Sequence, residues 1–208
     1  QLAQKEGVRV TAETCPHYLL FNEDVYSSEK GYQYLISPPI RGENERRGLW
    51  QLLSAGTITC VSSDSIAYDL QTKAIHREDF RQVPYGAAGI RFRSGLLFEH
   101  GVKTGLITAE QWVELTSTGP AKAFDLYPNK GTIRTGSEAD LLVLDPRKQT
   151  TVSVVDMELV SGYTIFEALP YAAGQRAVIK GGQVIVSEGE FVGTTGTGKY
   201  VKRYMRGA

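Results

Sequence analysis

Two periodicities of apolar residues follow each other along the first two thirds of the chain. Three short β-type runs predict strands, at 8–12, 34–36 and 57–61. A helical pattern at 43–55 places Leu49, Leu52 and Leu53 at spacings of three and four residues, and Gly56 follows in the position that usually ends a helix. Strands that alternate with helices are typical of βα units with a mostly parallel sheet.

The next part of the chain mixes a long irregular segment with helices. Residues 70–93 have no clear period and contain a proline and two glycines, so we expect an extended loop, and loops of this length are usually functional. A helical pattern resumes at 94–102. Thr108 and Gln111 form a capping box that predicts the start of a helix, and Pro120 suits the first turn of the following one.

The character of the sequence changes near residue 130. Short β-type runs follow, at 131–136, 139–145, 150–154, 177–180 and 183–186. Gly181-Gly182 predicts a two-residue hairpin turn between the last two runs. The pattern therefore predicts a boundary near 130, with a β-rich portion after it.

Composition and charge exclude several classes of protein. The 208 residues carry 23 Lys and Arg against 23 Asp and Glu, so the chain has no net charge with which to attract a nucleic acid. Its apolar runs are far shorter than the ~18 residues of a membrane span, so we expect no membrane partner. Two cysteines are too few for a disulfide framework, and three separated histidines cannot form a His-rich metal site by themselves.

Asp64 is the first candidate for chemistry, because it lies three residues beyond the end of the predicted strand 57–61. In barrels and open α/β sheets, functional sites are built at the C-terminal ends of the strands. A carboxylate there can bind a metal through one oxygen and accept a proton with the other, as hydrolysis by a metal-activated water requires. The alternative is that Asp64 caps a helix or forms an Asx-turn, as an aspartate flanked by serines commonly does.

Two proline-containing segments are further candidates. In Ser37-Pro38-Pro39, two residues without N–H groups can hold the serine and its backbone rigidly towards a ligand, although they equally suit a plain strand end. Pro84-Tyr85-Gly86 is a turn that either presents backbone groups to a polar ring or is only a turn. His17 lies beyond another strand end, where a lone histidine more often has a structural role.

An ordered set of segments is more specific than any of these motifs alone. The first group comprises 10–19 (VTAETCPHYL), 36–41 (ISPPIR), Ser63-Asp64, Lys73 with 77–80 (REDF), and 83–86 (VPYG) with Gly89. The second group comprises 126–133 (LYPNKGTI), 136–141 (GSEADL), 165–167 (IFE) and 180–182 (KGG). In this order and spacing they resemble the hydantoinase/dihydropyrimidinase branch of the cyclic amidohydrolases over essentially the whole chain.

The resemblance implies an architecture. Members of that family are (β/α)8 barrels of the TIM type that carry a β-sandwich subdomain, so the implied fold class is α/β. Residues 1–130 would be the last third of the metal-dependent hydrolase barrel, and 131–208 the C-terminal β-sandwich segment and tail. The chain would be an incomplete C-terminal part, because the family's HxH motif, carboxylated lysine and two further metal-binding histidines lie upstream of its first segment.

The resemblance also implies a reaction, the opening of a hydantoin or dihydropyrimidine ring to an N-carbamoyl amino acid. Two zinc ions per complete subunit, bridged by the carboxylated lysine that this chain lacks, would activate water. Asp64 matches the family's last metal-binding aspartate, which moves a proton from the attacking hydroxide to the leaving nitrogen. Ser37 and Tyr85 match the positions whose backbone groups hold the small cyclic amide substrate.

The sequence differs from the family pattern at two places, and two alternative functions stay open. The family often has His or Asn and then Cys after the aspartate, where this chain has Ser65 and Ile66, and Tyr85 replaces the usual Asn with a larger side chain. The alternatives are an allantoinase and a non-catalytic dihydropyrimidinase-like assembly protein. We expect a cytoplasmic homotetramer when the subunit is complete, and no activity from this chain alone.

Overall fold

A computed structural model describes residues 2–156, 161–172 and 174–203. The α-helices are α1 (Leu2–Lys5), α2 (Pro16–Leu20), α3 (Glu43–Ser54), α4 (Leu70–Ala74), α5 (Arg93–Leu97), α6 (Ala109–Val113) and α7 (Gly119–Ala123). The strands are β1 (Glu13–Thr14), β2 (Cys60–Val61), β3 (Leu141–Leu144), β4 (Thr150–Thr151), β5 (Pro170–Tyr171), β6 (Gln175–Lys180), β7 (Gln183–Ser187) and β8 (Glu190–Phe191). None of the helices in these ranges is long and apolar enough to cross a membrane.

The structure also contains 3₁₀ and π-helical turns. The 3₁₀ turns are Glu23–Ser27, Gly31–Tyr34, Ile90–Phe92 and Val154–Asp156, and π-helical turns at Phe98–Val102 and Glu114–Thr118 continue α5 and α6. The helix predicted at 94–102 is therefore confirmed. The capping box of Thr108 and Gln111 is present at the start of α6, and Pro120 lies in the first turn of α7.

The helix predicted at 43–55 is confirmed as α3, but its buried face differs from the predicted one. Trp50 and Leu53 are buried, whereas Leu52 is 36% exposed. The Trp50 indole N–H donates to the Leu19 carbonyl at 2.9 Å, so a large aromatic ring with a satisfied donor fills the space against α2. Gly56 ends the helix with a φ of 69°.

The predicted parallel strands are shorter than expected. Strands β1 and β2 pair in parallel, with Glu13 opposite Cys60, and the run at 8–12 contains no strand. The run at 34–36 is also not a strand, because the Leu35 carbonyl accepts hydrogen bonds from Gly86 N–H and the Lys73 ammonium instead of a neighbouring ladder. The expected loop at 70–93 begins with α4 and ends with a 3₁₀ turn.

The C-terminal β-rich portion forms an antiparallel sheet with strand order β3-β6-β7-β8, and a separate antiparallel pair of β4 and β5. The hairpin between β6 and β7 is confirmed, since Gly181 and Gly182 adopt φ values of 56° and 82° that suit glycine. The run at 131–136 is not a strand. Of the run at 150–154, only Thr150–Thr151 is a strand.

Two hydrophobic clusters form the core. One surrounds α3 and comprises Leu19, Trp50, Leu53, Ile58, Val61, Leu97, Ile107 and Leu115. The other comprises Ile36, Ile40, Ala87, Phe92, Leu96, Val152, Tyr163, Ile165 and Phe166. Four members of the second cluster come from beyond residue 150, so the chain returns to pack under the segments that contain the candidate site. The boundary near 130 stays a prediction.

Candidate functional site

Asp64 lies on a turn three residues after the end of β2. Its φ of 43° is in the left-handed region, which few residues other than glycine adopt and which aspartate tolerates better than most. Its carboxylate is exposed and has no hydrogen-bond or ion-pair partner among the described residues. The capping alternative is therefore wrong, because the next helix, α4, is capped by Asp69, which accepts from Thr72 N–H at 2.6 Å.

Two tyrosines fix the Ser37-Pro38-Pro39 segment. The Tyr18 hydroxyl donates to the Pro38 carbonyl at 2.8 Å, and Ile40 N–H donates to the Tyr26 hydroxyl at 2.8 Å. Burial raises the pKa of Tyr18 to about 12, and the charge of Asp64 adds to this rise, so Tyr18 stays a neutral donor. The backbone N–H and C=O of Ser37 have no protein partner within the described part of the chain.

Tyr85 lies on a loop that turns back towards the same segment. Gly86 N–H donates to the Leu35 carbonyl at 3.0 Å, which brings Tyr85 to the Ser37 segment. Gly86 has a φ of 129°, and a Cβ at this position would lie 2.7 Å from Cβ of Ile66, so only glycine fits. Like Ser37, Tyr85 has backbone N–H and C=O groups without a partner among the residues described.

Ser37 and Tyr85 line one cavity of about 1040 Å³. Its other lining side chains include Tyr26, Tyr32, Phe80 and Arg77. The cavity thus combines aromatic walls with free backbone donors and acceptors, which is typical of a small-molecule site.

Asp64 does not line this cavity, but its turn is bonded to the Tyr85 loop. Ser65 and Ala87 form a parallel β-bridge, Ile66 N–H donates to the Ala87 carbonyl at 3.1 Å, and Gly89 N–H donates to Ser65 Oγ at 3.2 Å. The structure therefore brings the three predicted site residues onto neighbouring segments, with Ser37 and Tyr85 on one cavity and Asp64 at its side.

Lys73 is a buried polar residue at this site to which sequence reasoning gave no role. It lies on α4, is 0% exposed, and donates from its ammonium to the carbonyls of Leu35, Pro84 and Gly86 at 2.8, 2.7 and 2.8 Å. Burial lowers the pKa of Lys73 to about 8. No local signal distinguishes it, because its three acceptors come from distant or irregular parts of the chain.

His17 and the two cysteines are buried in this chain. His17 is 2% exposed, its Nε2 has no partner among the described residues, and burial lowers its pKa to about 4. Burial raises the pKa of the Cys15 thiol to about 11, so this thiol is a poor nucleophile or metal ligand near neutral pH.

The residues present can supply one ligand of a metal site. Within residues 2–156, 161–172 and 174–203 no group of three or more His, Cys, Asp and Glu side chains could hold a metal ion. Asp64 could supply one ligand of a larger site, since its carboxylate is unpaired among the described residues, exposed, and held on a constrained turn after a strand end.

Comparison with known proteins places this site in context. The sequence profile of the amidohydrolase family matches residues 6–185. The chain is 36% identical to the D-hydantoinase of Geobacillus stearothermophilus over 99% of its own length and 44% of that relative's. It is 35% identical to the D-phenylhydantoinase of Escherichia coli (strain K12 / DH10B) over 98% of its length and, again, 44% of the relative.

Solved structures show the same likeness in three dimensions. A crystal structure of D-hydantoinase superposes with a TM-score of 0.94 at 35% identity, and covers 100% of this chain and 46% of that one. The dihydropyrimidinase from Brevibacillus agri NCHU1002 superposes with a TM-score of 0.92 at 36% identity over 97% of this chain and 44% of that one. These likenesses confirm the predicted fold class, part of a (β/α)8 amidohydrolase barrel followed by strands of a β-sandwich.

Proposed function

Because the chain belongs to the amidohydrolase family, we propose that it is the C-terminal part of a metal-dependent hydrolase that opens a cyclic amide ring. The proposed substrate is a hydantoin or a dihydropyrimidine, and the product an N-carbamoyl amino acid. The observation that carries the proposal is the shared cavity of Ser37 and Tyr85, with the turn of Asp64 bonded to one of its loops.

Ser37 and Tyr85 would recognise the ring amide. A cyclic amide or ureide presents one N–H donor beside one C=O acceptor, and it needs the complementary pair from the protein. The free backbone groups of the two residues offer both an acceptor and a donor on one cavity. Recognition through backbone is compatible with tyrosine at position 85, since the side chain changes the shape of the cavity and not the hydrogen-bonding groups.

Asp64 would be a metal ligand and would also carry a proton. When bound, zinc supplies a nucleophile from water at neutral pH and stabilises negative charge on the carbonyl oxygen. One carboxylate oxygen of Asp64 would hold the proton released as water adds to the carbonyl carbon. The same oxygen would deliver that proton to the ring nitrogen as the C–N bond breaks, so the nitrogen leaves as the neutral NH2 of the carbamoyl group.

The remaining metal ligands would come from sequence that this chain does not span. The chain covers about 44% of the length of the curated relatives it matches. We propose that two zinc ions per complete subunit are held there, bridged by a carboxylated lysine, with Asp64 as this chain's contribution. By itself the chain would then bind no zinc pair and would hydrolyse neither ring.

Assembly and location are also part of the proposal. A complete subunit would form a homotetramer in the cytoplasm. The exposed apolar side chains of the C-terminal sheet, among them Phe191 at 63% and Val184 at 49%, support burial of this face by further protein. Analytical ultracentrifugation of the complete protein measures the oligomeric state directly.

The first experiment measures zinc content and hydrolysis of hydantoin and dihydrouracil. It uses the protein from its complete coding region, its Asp64→Asn variant, and the 208-residue chain alone. We expect zinc and turnover only with the complete protein, and a loss of kcat in Asp64→Asn of roughly 10²–10⁴-fold, the size typical of a lost general acid–base.

Asp24→Asn is the matched control, because Asp24 is an exposed aspartate outside the cavity whose carboxylate has no partner among the described residues. It should keep wild-type zinc content and turnover. A complete protein that holds no metal and is inert on both rings would overturn the hydrolase proposal and favour the non-catalytic assembly protein.

A further inference from the structure

The buried ammonium of Lys73 connects the two segments that would bind substrate. An ammonium has three N–H donors, and all three are used by backbone carbonyls, those of Leu35, Pro84 and Gly86. Pro84 and Gly86 stand directly before and after Tyr85, and Leu35 stands two residues before Ser37. Lys73 therefore binds the two segments that carry Ser37 and Tyr85 together, through backbone carbonyls alone.

No carboxylate forms an ion pair with Lys73 in the described part of the chain. Burying an unpaired cation is costly, and neutral carbonyls recover part of that cost only when all donors are satisfied. A methionine would fill the same space without a charge. The arrangement thus indicates that the three hydrogen bonds themselves are needed.

The planarity of the peptide bond shows what these hydrogen bonds do. The peptides on both sides of Tyr85 are trans, so each C=O points opposite to the N–H of the same peptide. Lys73 holds the Pro84 carbonyl, which turns Tyr85 N–H away from the ammonium. Gly86 N–H is held by the Leu35 carbonyl, which turns the Tyr85 carbonyl away from that same point.

The Leu35 oxygen lies 2.8 Å from the Lys73 ammonium. The backbone N–H and C=O of Tyr85 therefore both point away from this ammonium and its acceptors. They are therefore presented side by side, as recognition of a ring amide requires. We propose that Lys73 is a positioning residue that orients the N–H and C=O of Tyr85 relative to Ser37. This inference rests on the proposed function, in which those groups bind the substrate amide.

The test compares Lys73→Met, which has a similar length and no donor, with Lys73→Gln, which retains two donors. In the complete protein we expect Lys73→Met to raise KM by about 10-fold or more with little change in kcat, because a binding interaction common to ground and transition states is lost. Zinc content should not change. Lys73→Gln should recover part of the loss.

Hydrogen–deuterium exchange supplies a readout that does not depend on activity. Lys73→Met should speed exchange in peptides covering 34–37 and 83–88, and leave α3 and the β6–β7 hairpin unchanged. Lys103→Met is the control: Lys103 pairs with the buried Glu99 at 2.7 Å, so its loss should lower Tm without changing KM.

The outcomes separate the two proposals. Normal KM and normal local exchange in folded Lys73→Met would overturn the role of Lys73 and leave the hydrolase proposal intact. If Lys73→Met speeds local exchange but the unmodified complete protein hydrolyses neither ring, the positioning role of Lys73 is retained and the proposed hydrolase reaction is overturned. If neither Lys73 variant folds, or if Tm alone falls, the residue is structural and the inference fails.

Discussion

The segments around the cavity and the C-terminal sheet differ in what holds their backbone in place. The sheet β3-β6-β7-β8 has the most regular backbone pairing in the described chain, yet all its residues are exposed or half-buried. The segments that carry Ser37 and Tyr85 contain no strand, yet their neighbours Ile36 and Ala87 belong to a fully buried cluster, and the Asp64 turn is bonded to the Tyr85 loop by the Ser65–Ala87 bridge. Regular hydrogen bonding and burial are thus separate sources of order, and the candidate site relies on burial and on side chains that bond to backbone.

The largest expected effect comes from replacing a phenylalanine by alanine in each of the two regions and comparing the losses of stability. Phe166 is 2% exposed and packs beneath Gly89, whereas Phe191 is 63% exposed on the last strand of the sheet. Phe166→Ala should destabilise the complete protein by about 3–5 kcal/mol, because a large cavity forms in the core. Phe191→Ala should change the free energy of unfolding of the dissociated subunit by no more than about 0.5 kcal/mol, because this side chain is exposed there. Urea denaturation of both variants measures the difference.

If Phe191→Ala proves as costly as Phe166→Ala, the contrast holds only within this chain. The sheet would then be covered in the complete protein, either by another part of the subunit or by a second copy. Concentration dependence of the Phe191→Ala midpoint would distinguish these two, since only contact between copies responds to protein concentration.

A second contrast is electrostatic. Charged groups in and beside the sheet pair at the surface, as Arg176 and Lys148 do with Glu188, whereas His17 is buried as a neutral ring whose Nε2 has no hydrogen-bond partner among the residues described. The pKa of His17 is lowered from 6.5 to about 4. Between these values the unfolded chain binds a proton that the folded chain does not. Stability should therefore fall as pH falls from about 6.5 to about 4, by up to about 3 kcal/mol.

His17→Gln should remove that share of the acid sensitivity, measured as the urea midpoint at pH 7 and pH 5. His76→Gln is the matched control, because it makes the same chemical change at an exposed histidine. Equal acid sensitivity in the two variants would show that His17 is not buried as a neutral ring in the complete protein.

Local features of the fold were predictable wherever the sequence determines them locally. The start of α6 follows from a side chain that bonds three residues along, and the β6–β7 turn follows from two glycines with positive φ. The run at 34–36 failed as a strand because its burial comes from residues such as Phe166, more than 100 positions away. An apolar run in the sequence predicts that a segment is buried. It does not predict which backbone groups the N–H and C=O groups of that segment bond to.

The residues of the candidate site also differ in how far the sequence predicts them. Asp64 was predictable because a polar residue after a buried strand marks the strand end, and its unpaired carboxylate agrees with that interpretation. Lys73 belongs to the segments that carry the resemblance, but its burial and its partners were not predictable, because lysine is usually solvated and its acceptors lie 38, 11 and 13 residues away in sequence. That the three predicted site residues share one function stays a prediction until Asp64 and Lys73 are tested.

The smallest expected effect on stability concerns the contact between α5 and the segment that contains Ala172. Gly95 in α5 faces β5 and its neighbour Ala172, where an added Cβ would lie 2.6 Å from the Ala172 oxygen. Gly48 in α3 has no atom within 4 Å of such a Cβ. Gly95→Ala should destabilise by about 1–3 kcal/mol through overpacking. Gly48→Ala should stabilise by about 0.5–1 kcal/mol, because alanine loses less backbone entropy in a helix.

Opposite signs for one chemical change, measured as shifts in the urea midpoint, would show that α5 and the 161–172 segment are packed at contact distance in the complete protein. If both variants gain stability, α5 and the segment that contains Ala172 can move apart without cost. The cavity loops would then lose their support on that side, because Phe166 reaches Gly89 from the same segment. Gly95→Ala is therefore the finest available measure of whether burial by the returning chain holds the candidate site in place.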